Sequence, residues 1–345
     1  MMRGELLRKL KNVGLGVALE QKKIEAISTG IPEIDEYLIG GIGGFPRGRI
    51  TEISGFESTG KSYFMYRQIA KVQKEGGIAA LLDGEYAYDP DWGRQFGINN
   101  KELILGHFST AEEHYEQIFK LLREINPDLI VTDSVASLVP EKYASLHADT
   151  AKIAWETAKI NKKYLRLLFA GVEGVKLPET KTALVFINHL SDKIGEIYGD
   201  AYDTGGGKAV KFWSHLRIRL MPAGFGKKRD KMGNPIEQIV LMKTMKSRLA
   251  MPHRQVKIIL DWKGGLQAIP VEVVYIVALE KGIISQSGAW ISFEWNGQQY
   301  KLQGKEKFVR FCDEHEDFKN YVMETENVSD NKKSMSDDLV GGIDV

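Results

Sequence analysis

Residues 55–62 are the segment whose types and spacing most directly indicate a chemistry. They read Gly-Phe-Glu-Ser-Thr-Gly-Lys-Ser and match the pattern G-x-x-x-x-G-K-[ST] of a phosphate-binding loop at every constrained position. Glycines let such a loop curl so that successive N–H groups point at an anion. Lys61 can reach the β- and γ-phosphates, and the Ser62 hydroxyl can bind Mg²⁺. The predicted nucleotide-binding residues are Gly55, Phe56, Glu57, Ser58, Thr59, Gly60, Lys61, Ser62 and the adjacent Tyr63.

The elements on either side of this loop are the ones that the motif requires. Residues 49–54 alternate like a strand, and residues 61–74 carry Phe64, Ile69 and Val72 at helical spacing among polar positions. A glycine-rich turn that only caps a helix is the alternative. The order strand, loop, helix favours phosphate binding, so the sequence predicts that the chain binds a nucleoside triphosphate.

Two carboxylates follow predicted strands near this loop. Asp133 ends the apolar strand 129–133, the pattern that holds Mg²⁺ in phosphate-loop enzymes, usually through water. Glu85 follows the strand 78–83, at the edge where open α/β sheets bind ligands. There it could polarise the water that attacks the γ-phosphate, or it could be a solvated turn residue. The residues alone leave both readings of Glu85 open.

Apolar runs alternate with helical patterns through most of the chain. Strands are predicted at 78–83, 103–107, 129–133 and 182–188, with helices at 111–125 and 151–169 between them. This alternation predicts an α/β fold with a mostly parallel central sheet flanked by helices. Beyond Lys211 the pattern changes to an antiparallel hairpin of 215–221 and 236–245, followed by a strand at 255–262 and a small α/β module.

Four regions are predicted along the chain. Residues 1–26 read as a basic amphipathic helical arm that either docks on a neighbouring subunit or packs on its own core. Residues 27–269 form the nucleotide-binding core, 270–323 a small C-terminal domain, and 324–345 a polar tail expected to be disordered.

Composition limits the classes of function. The net charge of +1 gives no whole-molecule attraction to nucleic acid, so any polyanion site must be a local patch. The single cysteine, Cys312, excludes an internal disulfide framework. No apolar run reaches membrane-spanning length, and the first twenty residues lack the apolar core of a signal peptide. A cytoplasmic protein without a membrane partner is expected.

Four segments together resemble the RecA family of homologous-recombination ATPases. They are GGFPRGRITEISGFESTGKS at 43–62, LDGEYAYDP at 82–90, LIVTDSVASL at 129–138, and residues 185–212 with FINHL, KIGEIYGD and GGGKAVKF. The resemblance covers about residues 27–311 and implies a P-loop NTPase core of the RecA type. It includes the twenty-four-residue step from Lys61 to Glu85.

The resemblance also implies roles for individual residues. Glu85 would activate the attacking water, and Asp89 and Trp92 would cover the adenine, with Trp92 where the bacterial proteins have tyrosine. Lys246 and Arg248 match two lysines that reach across a subunit interface to the neighbour's γ-phosphate. The replacement keeps both charges, and arginine suits bidentate phosphate contact. The plainer interpretation is that they are surface cations at a strand end.

His189 stands where bacterial members have a glutamine that senses the γ-phosphate and passes the signal to the DNA loop. A histidine at this position resembles the phage-encoded branch of the family.

The family's two DNA loops would correspond to about 141–150 and 189–207, and residues 172–182 read as a lengthened connection. The predicted DNA-binding residues are Lys193, Tyr198, Gly206, Gly207 and Lys208. The lysine-rich turn 227–231 is either a solvated turn or a secondary duplex site.

The resemblance implies a DNA-dependent ATPase that uses ATP and Mg²⁺. It would form a homo-oligomeric helical filament on single-stranded DNA, pair it with homologous double-stranded DNA and catalyse strand exchange. Two alternatives of other classes are a non-catalytic recombination mediator of the same fold and a ring-shaped helicase motor. Retention of Glu85, Lys246 and Arg248 argues against the mediator, and the match through LDGEYAYDP and the second loop argues against the helicase.

Overall fold

The structure is a computed structural model that describes residues 23–143, 150–192, 200–262, 265–268 and 273–325. Most of the predicted N-terminal arm and C-terminal tail lies outside the described residues. So do Lys193 and Tyr198. Within the described part of the chain, no helix combines the length and apolar character needed to cross a membrane.

The main sheet forms because apolar residues run without interruption through its central strands. In β4 (Ala79–Asp83) and β6 (Leu129–Asp133) every residue is buried. Burial on both faces is typical of parallel strands that are covered by helices on each side. The parallel part also contains β3 (Arg49–Gly55), β5 (Ile104–His107) and β7 (Ala183–Asp192), and it ends with β9 (Leu216–Phe225).

The order and direction of these strands bring the phosphate loop, Asp133 and His189 to one edge. The parallel part runs β5–β4–β6–β7–β3–β9. Three antiparallel strands continue it, β10 (Glu237–Ser247), β11 (Gln255–Asp261) and β12 (Gly265–Ala268), and a short strand β8 (Tyr202–Thr204) pairs with the end of β7. Ligands of open α/β sheets bind beyond the carboxyl ends of parallel strands.

Helices cover the two faces of this sheet and give it two apolar cores. On one face α1 (Lys61–Lys74) contributes Phe64 and Ile69. On the other, α3 (Ala111–Lys120), α4 (Thr150–Ala170) and α5 (Lys208–Trp213) contribute Tyr115, Leu165 and Val210. Alternate residues of β4 enter the two cores, with Leu81 in the first and Leu82 in the second. This alternation is the two-residue period of a strand.

The remaining elements are short or terminal. They are β1 (Ala26–Ile27), which pairs with β2 (Phe45–Pro46); a π-helical turn at Glu33–Leu38; α2 (Pro90–Gln95); a π-helical continuation of α3 at Leu121–Ile125; and 3₁₀ turns at Val135–Ser137, Glu141–Tyr143 and Leu177–Glu179. The C-terminal part contains α6 (Val273–Glu280), the antiparallel strands β13 (Ile284–Ser287), β14 (Trp290–Trp295) and β15 (Gln298–Gln303), α7 (Lys305–Glu314) and α8 (Glu316–Glu324).

The predicted fold class is confirmed: a mostly parallel sheet is flanked by helices and accompanied by a small C-terminal antiparallel sheet. The boundaries of the predicted regions remain predictions. Some elements differ in extent from the sequence prediction. β9 continues four residues beyond the predicted 215–221, to Phe225. β7 extends four residues further, to Asp192, because its end pairs with β8 from Leu190 to Asp192. The helix predicted at 111–125 changes to π-helical geometry after Lys120.

Candidate nucleotide-binding site

A cavity of about 340 Å³ opens at the carboxyl edge of the parallel strands. The phosphate loop leaves β3 there. His189 comes from β7, which pairs with β3, and Asp133 comes from β6, which pairs with β7. The cavity is lined by Glu57, Ser58, Gly60, Lys61, Ser62, Tyr63, Tyr66, Glu85, Ala87, Trp92, Asp133, His189 and Trp262. Most of the predicted nucleotide and catalytic residues therefore meet in one place.

The backbone of the phosphate loop needs glycine at Gly60. Its φ is +79°, in the left-handed region, and a Cβ there would lie 2.0 Å from Leu260 Cδ1. α1 begins at the next residue, so the loop ends at a helix N-terminus, where N–H groups are free to bind an anion. Lys61 Nζ donates to the carbonyl oxygens of Gly55 and Phe56 at 3.0 and 2.7 Å. Burial lowers the pKa of Lys61, although the carboxylates of Asp133 and Glu85 oppose this effect.

Ser62 and Asp133 form an oxygen-rich pair. Ser62 Oγ donates to Asp133 Oδ2 at 2.5 Å, and Asp133 is only 8% exposed. Burial raises the pKa of Asp133 to about 6; the Ser62 hydrogen bond opposes the rise, and the carboxylates of Glu85 and Asp83 add to it. A buried carboxylate beside a hydroxyl suits Mg²⁺, which prefers oxygen ligands and binds through one or two carboxylates plus phosphates.

Glu85 is held from two sides. Ser134 Oγ donates to Glu85 Oε1 at 2.5 Å, and His189 Nε2 lies 3.2 Å from the same oxygen. The turn that carries Glu85 is organised by Asp83, which accepts from the N–H groups of Glu85 and Tyr88 at 3.0 and 2.9 Å. Ser134 and Asp83 were not singled out in the sequence, although each lies within a segment that carries the family resemblance.

The two residues predicted to cover adenine are placed differently. Trp92 lines the cavity and is 39% exposed. Asp89 does not line it; its carboxylate caps α2 by accepting from Trp92 N at 2.7 Å. Trp262, which the sequence analysis missed, lines the cavity and meets the ring of Tyr63 edge-on, with centroids 5.1 Å apart. A signal existed, because Trp262 follows β11 at the ligand edge of the sheet.

Lys246 and Arg248 are not brought to this cavity. Lys246 lies near the end of β10, where it pairs with Arg217 near the start of β9, and Arg248 directly follows the strand. This end of β10 is at the opposite edge of the sheet. Lys246 Nζ donates to the carbonyl oxygens of Lys211 and Phe212 at 2.7 and 2.9 Å, and Arg248 Nη2 to that of Phe212 at 2.9 Å. Burial, together with Arg248 and Arg217, lowers the pKa of Lys246 to about 8.

The described end of the predicted second DNA loop contacts the phosphate loop. The ring of Phe56 meets that of Tyr202 edge-on, with centroids 4.9 Å apart. Gly206 O accepts from Asn161 Nδ2 at 2.8 Å, and a Cβ on Gly207 would lie 2.6 Å from Ala158 Cβ. Gly207 also has a φ of +79°, so only glycine fits this close approach to α4 without strain.

Lys208 lies on an exposed groove between α4 and α5 that sequence reasoning did not identify. The groove encloses about 620 Å³ and is lined by Trp155, Ala158, Lys159, Lys162, Arg166, Lys208, Ala209, Phe212 and Trp213. Lys159 Nζ lies 3.1 Å from the centre of the Trp155 ring. The spacing of Trp155, Lys159, Lys162 and Arg166 on one helix was the available signal, since residues three and four apart share a face.

Over most of its length, the chain is similar to proteins of one family. The family model described as the RecA N-terminal domain matches residues 9–267. Protein RecA of Thermus aquaticus is 36% identical over 293 residues, covering 85% of this chain and 82% of that protein. Protein RecA of Chlorobaculum parvum is 35% identical over 301 residues, covering 87% and 82%, and that of Lactococcus lactis subsp. cremoris is 33% identical over 320 residues, covering 91% and 76%.

Proposed function

Because the chain belongs to the RecA family, it is an ATP-dependent DNA recombinase with strand-exchange activity, and we propose that it hydrolyses ATP in the cavity beside the phosphate loop. The observation that carries the proposal is the convergence of Lys61, Ser62, Asp133, Glu85 and His189 on this cavity. The mediator and helicase alternatives are not favoured by the family assignment.

The phosphates would lie against the start of α1. The loop N–H groups and Lys61 supply positive charge where the β- and γ-phosphates need it. Ser62 and Asp133 would hold Mg²⁺, which neutralises phosphate charge when bound. Lys61 would then exchange its bonds to two loop carbonyls for bonds to phosphate oxygens. Trp92 and Trp262 would cover the adenine ring, and Asp89 would contribute by keeping Trp92 in place.

Glu85 would act as the general base. Its carboxylate takes a proton from a water molecule whose oxygen bonds to the γ-phosphorus, while the bond from that phosphorus to the β–γ bridging oxygen breaks. ADP and inorganic phosphate leave. Ser134 and His189 both contact Glu85 Oε1, so Oε2 is the oxygen available to the water. His189 joins the base to β7, from which the second DNA loop continues.

Lys246 and Arg248 would act on the nucleotide of a neighbouring subunit. They lie at the sheet edge opposite the phosphate loop of their own chain, which supports a role at the site of a neighbour. A head-to-tail helical filament would place this edge of one subunit against the cavity of the next. Hydrolysis would then require assembly, since each complete site takes residues from two chains.

Single-stranded DNA would be held by the second loop, with Lys193 and Tyr198 in its middle and Gly206, Gly207 and Lys208 at its end. Glycine N–H groups and lysines bind phosphates, and an aromatic ring can stack on bases. The cations and aromatic rings of the groove between α4 and α5 would extend this surface, since Lys208 directly follows the loop and lines the groove. Homologous double-stranded DNA would be selected by base pairing.

Mixing two inactive variants tests the shared site. Lys61→Ala removes the phosphate-loop cation, and Arg248→Ala removes the cation that serves the neighbour. Each variant alone should lose DNA-stimulated ATP hydrolysis. In mixtures, some interfaces pair an intact loop with an intact arginine, so activity should reappear and peak near equal amounts. Arg123→Ala, which removes a surface arginine paired with Glu173, is the control and should hydrolyse ATP normally. No recovery at any ratio would refute action across the interface.

A further inference from the structure

A charged residue is fully buried in the middle of the main sheet. Glu52 lies on β3 and is 0% exposed. Its Oε1 accepts from Asn188 Nδ2 on β7 at 2.8 Å, and its Oε2 accepts from Arg217 Nε on β9. One carboxylate therefore connects three adjacent strands, including the strand that enters the phosphate loop and the strand that enters the second loop.

The acceptor character of Glu52 determines how the Asn188 amide is oriented. An ionised carboxylate only accepts hydrogen bonds, so Asn188 must turn its nitrogen towards Glu52. The same nitrogen then donates to Gly205 O at 3.0 Å, and Asn188 Oδ1 accepts from His189 N at 3.0 Å. The start of the second loop at His189 and its end at Gly205 are thus tied to one side chain.

Fold stability by itself does not account for this arrangement. A buried ion pair contributes little net stability compared with apolar side chains of similar size, because both charges lose their hydration. The neighbours of Glu52 on β3 include Ile50 and Ile53, which are fully buried and apolar. A carboxylate at this position provides what an apolar residue cannot, which is an acceptor for Asn188.

We propose that Glu52 is a positioning residue that holds both ends of the second loop through Asn188, so that DNA affinity of the loop follows the nucleotide state. The proposal rests on the proposed function in assigning DNA to this loop. Arg217 balances the charge of Glu52 and donates weakly to Thr204 Oγ1 at 3.4 Å, which adds a third tie to the loop end.

Two double variants isolate the acceptor. Glu52→Gln with Arg217→Met and Glu52→Met with Arg217→Met both remove the buried charge pair, so neither leaves an uncompensated ion that would prevent folding. They differ in that glutamine can still present an oxygen to Asn188, whereas methionine cannot. The full-length proteins, without DNA, are compared by backbone hydrogen exchange over residues 189 and 204–207, with urea unfolding as the check on global stability.

In the double variant with Glu52→Met, the backbone amides of these residues should exchange about tenfold faster than in the wild type, which is the effect of losing one or two hydrogen bonds. In the double variant with Glu52→Gln, their exchange should stay close to that of the wild type. Equal exchange in the two double variants would overturn the proposal. A merely structural role would change exchange throughout the sheet rather than in the loop ends, and that outcome would also overturn it.

The DNA consequence is measured separately, as the ratio of affinities for a fluorescent single-stranded oligonucleotide with a non-hydrolysable ATP analogue and with ADP. In the double variant with Glu52→Met, the DNA affinities with the two nucleotides should become nearly equal, whereas the double variant with Glu52→Gln should keep the wild-type difference. If the double variant with Glu52→Met kept the wild-type difference, coupling of the loop to the nucleotide through Glu52 would be overturned. If the wild-type protein binds the oligonucleotide equally well with both nucleotides, the nucleotide dependence of DNA binding in the proposed function fails, and the exchange comparison alone decides the positioning role.

Discussion

Replacing Asp133 by asparagine should make the protein more stable while it impairs nucleotide chemistry. Asp133 is buried beside the phosphate loop, and two further carboxylates, Glu85 and Asp83, add to the unfavourable environment of its charge. Asparagine has nearly the same shape, and its carbonyl oxygen can still accept from Ser62 Oγ. The substitution therefore removes the buried charge without removing the hydrogen bond.

The size of the effect follows from the pKa. A rise from 3.8 to about 6 corresponds to about 3 kcal/mol in favour of the neutral form, at about 1.36 kcal/mol per pKa unit. The attraction between Asp133 and Lys61 is lost in the variant and reduces the gain. We expect Asp133→Asn to raise the free energy of unfolding by about 1–3 kcal/mol near neutral pH.

Urea unfolding in EDTA, without nucleotide, measures this gain across pH. The carboxyl of Asp133 binds its proton more tightly in the native state than in the unfolded state. The free-energy cost of its buried charge is therefore fully present above about pH 6 and disappears below about pH 4. The two proteins should therefore converge in stability as the pH falls through this window. In parallel, Mg²⁺ should no longer strengthen ATP binding in the variant, because a metal-binding carboxylate is lost.

Two results would contradict this reasoning. A variant that is equal to or less stable than wild type at neutral pH would show that the buried charge is not costly. A stability difference that widens as the pH falls would have the wrong sign for a carboxyl with a raised pKa. Ser62→Ala is a useful companion, because it removes the hydrogen bond but keeps the charge and should therefore lower stability at neutral pH.

Three further predictions concern turnover and coupling. Glu85→Gln keeps the contacts to Ser134 and His189 but removes the base, so hydrolysis should fall by about 100-fold or more with ATP binding retained; normal turnover would move the base elsewhere. His189→Ala should bind ATP but should bind single-stranded DNA with equal affinity in the presence of ATP and of ADP. His189→Gln should keep most of the wild-type difference between these two affinities. If the alanine variant kept the full difference, a residue other than His189 would couple ATP binding to DNA affinity. Lys246, with its pKa lowered to about 8, loses its charge as the pH rises past that value, so DNA-stimulated hydrolysis should decline between about pH 7 and pH 9. Lys246→Arg should remove this decline, because arginine stays charged; identical pH profiles would exclude Lys246 as the titrating group.

Local patterns were sufficient for the phosphate loop and for the order of the elements. The loop pattern depends on a few consecutive residues, and its chemistry comes from backbone N–H groups and one lysine. The strand prediction at 129–133 matched β6 because a strand buried on both faces is continuously apolar. From that strand alone, Asp133 could be expected at the ligand edge.

Partners that are distant in the chain were decided by tertiary structure. Nothing near Glu85 in the sequence indicates Ser134 or His189, which are 49 and 104 residues away and meet it only because β4, β6 and β7 lie together. Trp262 reaches the cavity through a strand on the antiparallel side of the sheet. Asp89, which the resemblance assigned to adenine, has its carboxylate engaged in capping α2.

The sequence by itself determined that the chain has a phosphate loop and an α/β core, because short-range periodicity and backbone geometry specify both. Only the tertiary structure decided which charges share a site. It separated Lys246 and Arg248 from Lys61, since β10 runs antiparallel to β9 and ends at the far edge of the sheet. It also buried Glu52 between Asn188 and Arg217, because the register of three strands sets these side chains together. Strand order and register depend on contacts between residues far apart in the chain, which no local pattern records.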